Sequence, residues 1–204
     1  MSTNSIERQF SVFLEMLHYR GDKVPFSVDD LVEASKNSKI TRLTTDVTTI
    51  VLAIRGNNKD DSNVVFRGLV QQEPSEFTTP RTIMVTPVPY NTFMKQSRKL
   101  QLKEKNKELA GVSHIQVISL DDMIVNPFRV PPHQYLIPRE EVESVLNKFN
   151  VPGKTYEQRI AKLPVISEDD AVARWIGMRP GEVLKVERSS LLTGGTSYYY
   201  RVCV

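Results

Sequence analysis

Leu163-Pro164-Val165-Ile166, Asp170-Ala171-Val172-Ala173-Arg174-Trp175-Ile176-Gly177, Arg179-Pro180-Gly181-Glu182-Val183-Leu184-Lys185-Val186 and Tyr200-Arg201-Val202-Cys203-Val204 follow one another in a single series. Their chemistry spells out a small α/β module. Ser167 and Asp170 form a Ser-x-x-Asp capping pattern ahead of the helical stretch Ala171 to Ile176, and Gly177 suits its C-terminal stop. Arg179-Pro180-Gly181 is a turn leading into the apolar stretch Val183 to Val186. Tyr198, Tyr200, Val202 and Val204 share one side of a second strand, and Gly194-Gly195 reads as the loop joining the two antiparallel strands. Upstream, Pro138 occupies a first helical position, and Glu140 and Glu141 suit the positive end of the helix dipole. Val142, Val145, Leu146 and Phe149 then give one apolar face, ended by Asn150 and Pro152-Gly153.

Composition agrees with two domains that each bury a core. The chain has 204 residues, 40% hydrophobic and 25% charged, near globular averages, which argues against wholesale disorder. One cysteine, Cys203, rules out an internal disulfide and favours a reducing compartment; as a strand residue it needs no nucleophilic role. The longest aliphatic run, Ile50 to Ile54, falls far short of the roughly 20 residues that span a bilayer, and the polar first residues lack an apolar signal core. The expectation is an intracellular protein with no membrane partner.

Residues 1–128 read as a separate domain. Ile6, Phe10, Phe13, Leu14 and Leu17 make a helical stripe ending near Gly21, and a second helix starts at Ser27 with Asp30 as capping partner. Thr48 to Ile54 and Val64 to Val70 are expected strands joined by the polar turn at 56–63, and Arg81 to Thr86 is a third. A basic helix follows, then the apolar strand His114 to Leu120; strand, helix, strand favours parallel pairing. Pro131-Pro132 separates this domain from the module at 131–204. The fold class is therefore α/β (α+β), a mixed-sheet domain with helices followed by a small C-terminal α/β domain.

The net charge of +3 is modest. Within 131–204 ten Lys and Arg face nine Asp and Glu, so that module is almost neutral. Upstream, Lys95, Arg98, Lys99, Lys103, Lys105 and Lys107 are opposed locally only by Glu104, and Lys95, Lys99, Lys103 and Lys107 recur every four residues. On a helix these four form one basic stripe. It is either a solvated face or a contact for a phosphate backbone, where several lysines release counterions together.

Taken in order, the C-terminal motifs resemble the fifth subunit shared by eukaryotic nuclear RNA polymerases, whose C-terminal half corresponds to a small, H-type component of the archaeal polymerase. Ala171 stands where the family has a helix-starting proline, Val165 and Pro180 where it has arginine, and Trp175 where it has tyrosine or a similar aromatic. One extra residue sits near Leu191-Leu192. Gly177, Gly181 and Gly195 are retained, so the resemblance keeps architecture better than surface, as in a divergent cellular or viral lineage. It implies a non-catalytic subunit of a DNA-dependent RNA polymerase. Residues 131–204 would be an assembly domain docking on the largest subunit, beside the neighbouring small shared subunit, and 1–128 a jaw domain touching downstream duplex DNA.

The residues so implied for assembly are His133, Leu163, Pro164, Asp170, Arg174, Gly177, Gly181, Tyr200 and Arg201. Those implied for DNA are Thr86 and Pro87, at a strand end that resembles the family's Thr-Pro turn, with Tyr90, Asn91, Lys95, Lys99 and Lys103 beyond. Free backbone N–H groups at such a strand end would suit phosphate, without base readout. Each has a plainer alternative: Thr86-Pro87 as an ordinary turn, His133 as a satisfied hydrogen-bonding group, Arg174 and Arg201 as internal ion pairs. The resemblance places the protein in the nucleus if cellular, and in the host cytoplasm, viral factory or virion if viral.

Catalysis is not expected. The jaw domain has a nuclease-like topology in the family, but no lysine here has an acidic residue two positions before it, as that metal chemistry needs. There is no Gly-x-x-x-x-Gly-Lys loop or Gly-x-Ser-x-Gly elbow. His18, His114 and His133 are scattered, and Asp121-Asp122 suit a helix start better than a metal. No cofactor or metal is expected. The competing class is a stand-alone DNA-binding transcription factor carrying the same C-terminal module.

Overall fold

The computed structural model describes residues 3–37, 40–54, 59–129, 133–190 and 194–204. The chain forms two compact units, Met1–Asn126 and Pro127–Val204. The expected Pro131-Pro132 boundary, the start of the 56–63 turn and the extra residue near Leu191-Leu192 lie outside the described residues.

The first unit is a four-stranded sheet of order β1-β2-β3-β4. β1 (Thr41–Thr44) is antiparallel to β2 (Thr48–Leu52), whereas β2, β3 (Arg81–Thr86) and β4 (Ile115–Ser119) run parallel. Two parallel neighbours cannot be joined by a tight turn, so each pair requires a crossover. α3 (Lys59–Gln71) connects β2 to β3; α4 (Tyr90–Phe93) and α5 (Gln96–Glu108) connect β3 to β4. This constraint overturns the expected strand at Val64 to Val70. That Val-rich run is helical, with Asp60 and Asp61 in its first turn. Val65, Phe66 and Leu69 turn inward while Val64 stays exposed, so tertiary demand overrides a β-favouring composition.

Register puts Val51, Met84 and Val117 side by side, and they share a core with Val65, Phe66 and Leu69 of α3, Phe93 of α4 and Leu109 just after α5. Phe66 and Phe93 meet edge to face at 5.9 Å. α1 (Thr3–Tyr19) packs on α2 (Val28–Asn37) and on a single 3-10 turn at Leu120–Met123, with Phe10, Phe13, Met16 and Leu17 wholly buried. α2 begins as the sequence indicates: the Asp30 carboxylate accepts from both the backbone N–H and the hydroxyl of Ser27.

One buried carboxylate ties this unit together. Asp22, just after α1, has no exposed side-chain surface. Its Oδ2 lies 3.1 Å from the guanidinium of Arg81, the first residue of β3, and its Oδ1 accepts the Thr45 hydroxyl at 2.6 Å. Thr45 in turn accepts the N–H of Thr48 at the start of β2. A single acid thus holds the end of α1, the β1–β2 turn and the start of β3.

The second unit is a four-stranded sheet of order β5-β7-β8-β6. β7 (Val183–Ser189) is antiparallel to β5 (His133–Ile137) and to β8 (Thr196–Cys203), and β6 (Val165–Ile166) is parallel to β8. α6 (Arg139–Lys148) and α7 (Tyr156–Ile160) place Val142, Leu146 and Ile160 against Ile137, Val183 and Val202. Leu184, Val186 and Cys203 alternate to the opposite face and are also buried, as strand geometry requires.

α8 (Ala171–Ile176) carries the wholly buried Trp175, whose ring lies 6.4 Å from that of Phe128. Two expected cap positions shift, one by a single residue and the other by three. Pro138 is the N-cap of α6 rather than its first helical residue. Asp170 alone caps α8, accepting from Val172 N at 2.8 Å; Ser167 instead accepts the N–H of Asp169 in the preceding turn. Gly177 ends α8 at a left-handed φ of 70°, where a side chain would be strained.

Replacing Asp22 with Ala leaves the Arg81 guanidinium without its buried carboxylate. Because Arg81 is partly exposed, the expected cost is toward the low end for a broken buried pair, about 3 kcal/mol. Urea unfolding of the full chain reads it, and Asp22→Asn, which keeps the acceptor for Thr45, should lose less.

Candidate functional site

The sequence-selected residues of the second unit gather around an open groove of ≈ 610 Å³. Leu163, Pro164 and Ile166 form one wall, Asp170 and Val172 at the start of α8 another. Tyr199 and Arg201 of β8 and Val186 and Arg188 of β7 line the floor. The floor follows from register: Val186 lies opposite Tyr199, and Leu184 opposite Arg201. Five of the expected assembly residues therefore border one groove: Leu163, Pro164, Asp170 and Arg201, and Tyr200, whose ring turns by strand alternation to the opposite face, against the α6 and α7 core.

The others act elsewhere. Gly177 caps α8, and Gly181, at φ 90°, donates its N–H to the carbonyl of Cys203 at 3.0 Å. Half-buried Arg174 donates Nε to the carbonyl of Asp169 at 3.1 Å, holding the turn that precedes its own helix. These three shape the backbone that presents the groove. The side chain of His133 lies outside the described residues. Sequence reasoning missed Arg188, Tyr199 and Val172. The signal for Tyr199 was present in Tyr198-Tyr199-Tyr200, because strand alternation must send the middle ring to the groove side.

The groove is electrostatically lopsided. Arg188 stacks on the Tyr199 ring at 5.1 Å. Among the described residues neither Arg188 nor Arg201 forms an ion pair. The Asp170 carboxylate is already engaged with the Val172 N–H at 2.8 Å. The opposite face differs: Lys185 meets Glu141 at 3.1 Å and lies 5.4 Å from the Tyr135 ring, and the Tyr135 hydroxyl donates to Glu187. Its hydrogen bonds to Tyr135 and Glu141 raise the Lys185 pKa above its usual value.

The first unit distributes its expected DNA residues unevenly. Thr86 and Pro87 are buried, and the Thr86 hydroxyl bonds Ser62 Oγ at 3.1 Å while accepting the N–H of Val88. That N–H is spent internally, contrary to the expectation of free donors at this strand end. Tyr90 is buried, with Lys99 Nζ 5.6 Å from its ring centroid. Asn91, Lys95, Lys103 and Lys107 are exposed. Arg98 and Lys105 of the same basic stretch turn inward. Arg98 stacks on Phe93 at 4.5 Å and donates to the Phe93 carbonyl and to Asn63 Oδ1. Buried Lys105 reaches both oxygens of Glu108 at 3.0 Å, and Lys107 pairs with Glu104. Of the stripe, Lys95 and Lys103 are thus exposed, Lys99 is half-buried beside Tyr90, and Lys107 is locally neutralised.

Among the described residues no group of three or more His, Cys, Asp or Glu side chains is placed to hold a metal ion, and no helix is long and apolar enough to cross a membrane.

Residues 123–203 match the family described as RNA polymerase Rpb5, C-terminal domain. The DNA-directed RNA polymerase subunit Rpo5 of Methanocaldococcus jannaschii is 40% identical over 75 residues, covering 85% of that protein and 37% of this chain. This chain belongs to the RNA polymerase Rpb5 family. The Rpo5 subunit of Archaeoglobus fulgidus is likewise 40% identical over 75 residues and 87% of its length, and that of Thermococcus kodakarensis 36% identical over 80% of its length. The family match coincides with the groove-bearing unit.

Cys203 shows how closed the core beneath the groove is. Burial, then the charges of Glu168 and Glu182, push its thiol up to about 12. At pH 8 only about one thiol in 10⁴ would be the reactive thiolate. The native chain should resist iodoacetamide at that pH and react only once urea opens the second unit, as intact-mass measurement would record.

Proposed function

We propose that this Rpb5-family chain is a non-catalytic core subunit of a multisubunit DNA-dependent RNA polymerase. In this reading the second unit docks on the largest subunit, beside the neighbouring small shared subunit, and the first unit borders downstream duplex DNA. The observation that carries the assembly half is the family match over residues 123–203, together with the gathering of five motif residues at one groove. A nearly neutral module joined by packing and directional contacts suits stable assembly, whose affinity salt does not erase.

The DNA half rests on exposed Asn91, Lys95 and Lys103, with half-buried Lys99 between the two lysines. Contacts of this kind position a duplex without reading its sequence, which suits a surface past which every sequence must slide. The buried Thr86-Pro87 turn and Tyr90 would act by holding α4 and the start of α5 in place. Such a subunit works where its polymerase works, in the nucleus of a cell or in the cytoplasmic factory or virion of a large DNA virus.

Affinity purification of the tagged chain at moderate salt tests the assembly half; equal recovery of the two largest polymerase subunits is expected. Recovery of the chain alone with duplex DNA retained would instead favour the stand-alone transcription factor. For the DNA half, three lysines imply a log–log salt slope of about −3 for the isolated chain. The triple substitution of Lys95, Lys99 and Lys103 to Ala should flatten that slope in a fluorescence anisotropy titration with random-sequence duplex. A slope near −8 would contradict the accounting of the inward and paired cations.

A further inference from the structure

β8 carries an open edge. The N–H of Val202 donates to Pro164 O, on the side away from β7, while the N–H of Cys203 donates to Glu182 O and that of Ser190 to Gly195 O across the hairpin. In an antiparallel ladder these directions alternate. The backbone N–H and C=O groups of Thr196, Tyr198 and Tyr200 therefore point away from β7, along the edge on which β6 lies. Among the described residues β6 pairs only with Val202 and Cys203. Among the described residues no backbone partner meets the three outward-pointing residues.

Sheets normally blunt such an edge with proline, lysine or a bulge. Thr196-Ser197-Tyr198-Tyr199-Tyr200 has neither residue and pairs with β7 in unbroken register. The other edge strand, β5, is bracketed by Pro132 and Pro138. Tyr198 and Tyr199 remain about half exposed, at 51% and 50%, so each face beside the edge offers an aromatic surface. On the groove face the cations next to it are Arg201 and, diagonally, Arg188, with no ion pair among the described residues; the groove's one carboxylate, Asp170, caps α8.

The geometry points to strand addition: an extended segment of a partner chain pairs with β8 at Thr196–Tyr200, continuing the line of β6. The segment is amphipathic. Carboxylates at alternate positions meet Arg201 and Arg188 in the groove, and the intervening residues are apolar and lie beside Tyr198 and Tyr200. Main-chain hydrogen bonds give the affinity and alternate side chains the selectivity. The inference rests on the polymerase-subunit reading and specifies how the docking of that reading is made.

Hydrogen exchange on the full chain, free and co-assembled with the largest polymerase subunit, tests it. The amides of Tyr198 and Tyr200 should exchange on the order of 100-fold slower in the complex. The double substitution Arg188→Glu/Arg201→Glu should weaken the complex at least about tenfold at low salt. Tyr198→Pro, which removes one outward N–H at an edge position where proline is tolerated, should weaken it comparably, whereas Tyr198→Phe should not. A complex that forms with these amides exchanging at the free rate, or that is indifferent to the arginine reversal, overturns strand addition and leaves the subunit reading standing. If no complex forms, both fall.

Discussion

The antiparallel ladder between β7 and β8 is the constraint on which the second unit depends. Its register, Val183 opposite Val202 and Leu184 opposite Arg201, decides which residues meet α6 and α7 and which meet the groove. A slip of one position would exchange the two sets: Arg201 and Tyr199 would enter the aliphatic core, and Val202 would face water. The register is pinned at both ends. Gly181 N bonds Cys203 O and Cys203 N bonds Glu182 O at one end, and Ser190 N bonds Gly195 O at the other. This explains why Gly181 stands among the motif residues without lining the groove. At φ 90° it lets the chain turn into β7 while its N–H closes the ladder, and a side chain there would strain that turn.

The same logic separates what was legible in the sequence from what was not. Local chemistry was readable wherever one residue had one partner nearby: Ser27 with Asp30, Gly177 at the end of α8, the alternation of Tyr198, Tyr200 and Val202. It failed where the partner was distant. Nothing local in Asn63-Val64-Val65-Phe66 announces a helix; the parallel pairing of β2 with β3 does, since only a crossover can join them. Ser167 and Asp170 both satisfy the capping pattern, and the choice between them was made by the turn that Ser167 stabilises with Asp169 N. At the groove, the motif identified Arg201 but not Arg188, because the two come together only through the hairpin register.

Charge was the least legible property. Counted along the chain, six cations stand between Lys95 and Lys107; in space they divide into different roles. Arg98 spans α3 and α4, Lys105 is buried against Glu108, and Lys107 is answered by Glu104. The stems of Lys and Arg cover apolar surface as readily as they present charge, and α5 uses them so because it has few apolar residues of its own. A sequence count of basic residues is therefore an upper bound on the charge available to a phosphate backbone.

These two surfaces obey different physics, which bears on why one chain would carry both. The row of Lys95, Lys99 and Lys103 acts through a screened field whose reach is about 8 Å at physiological salt, and which gains nothing from any particular base. Such a contact can be made and released as a duplex moves. The edge of β8 offers the reverse: fixed donors and acceptors at strand spacing, flanked by half-exposed tyrosines, which reward one partner in one register. In the proposed role, a surface that must let its partner slide is built from charge, and a surface that must hold its partner is built from ladder and packing. The near-neutral balance of 131–204 follows from that division, since a strongly charged assembly module would attract the same nucleic acid that its neighbour only needs to steer.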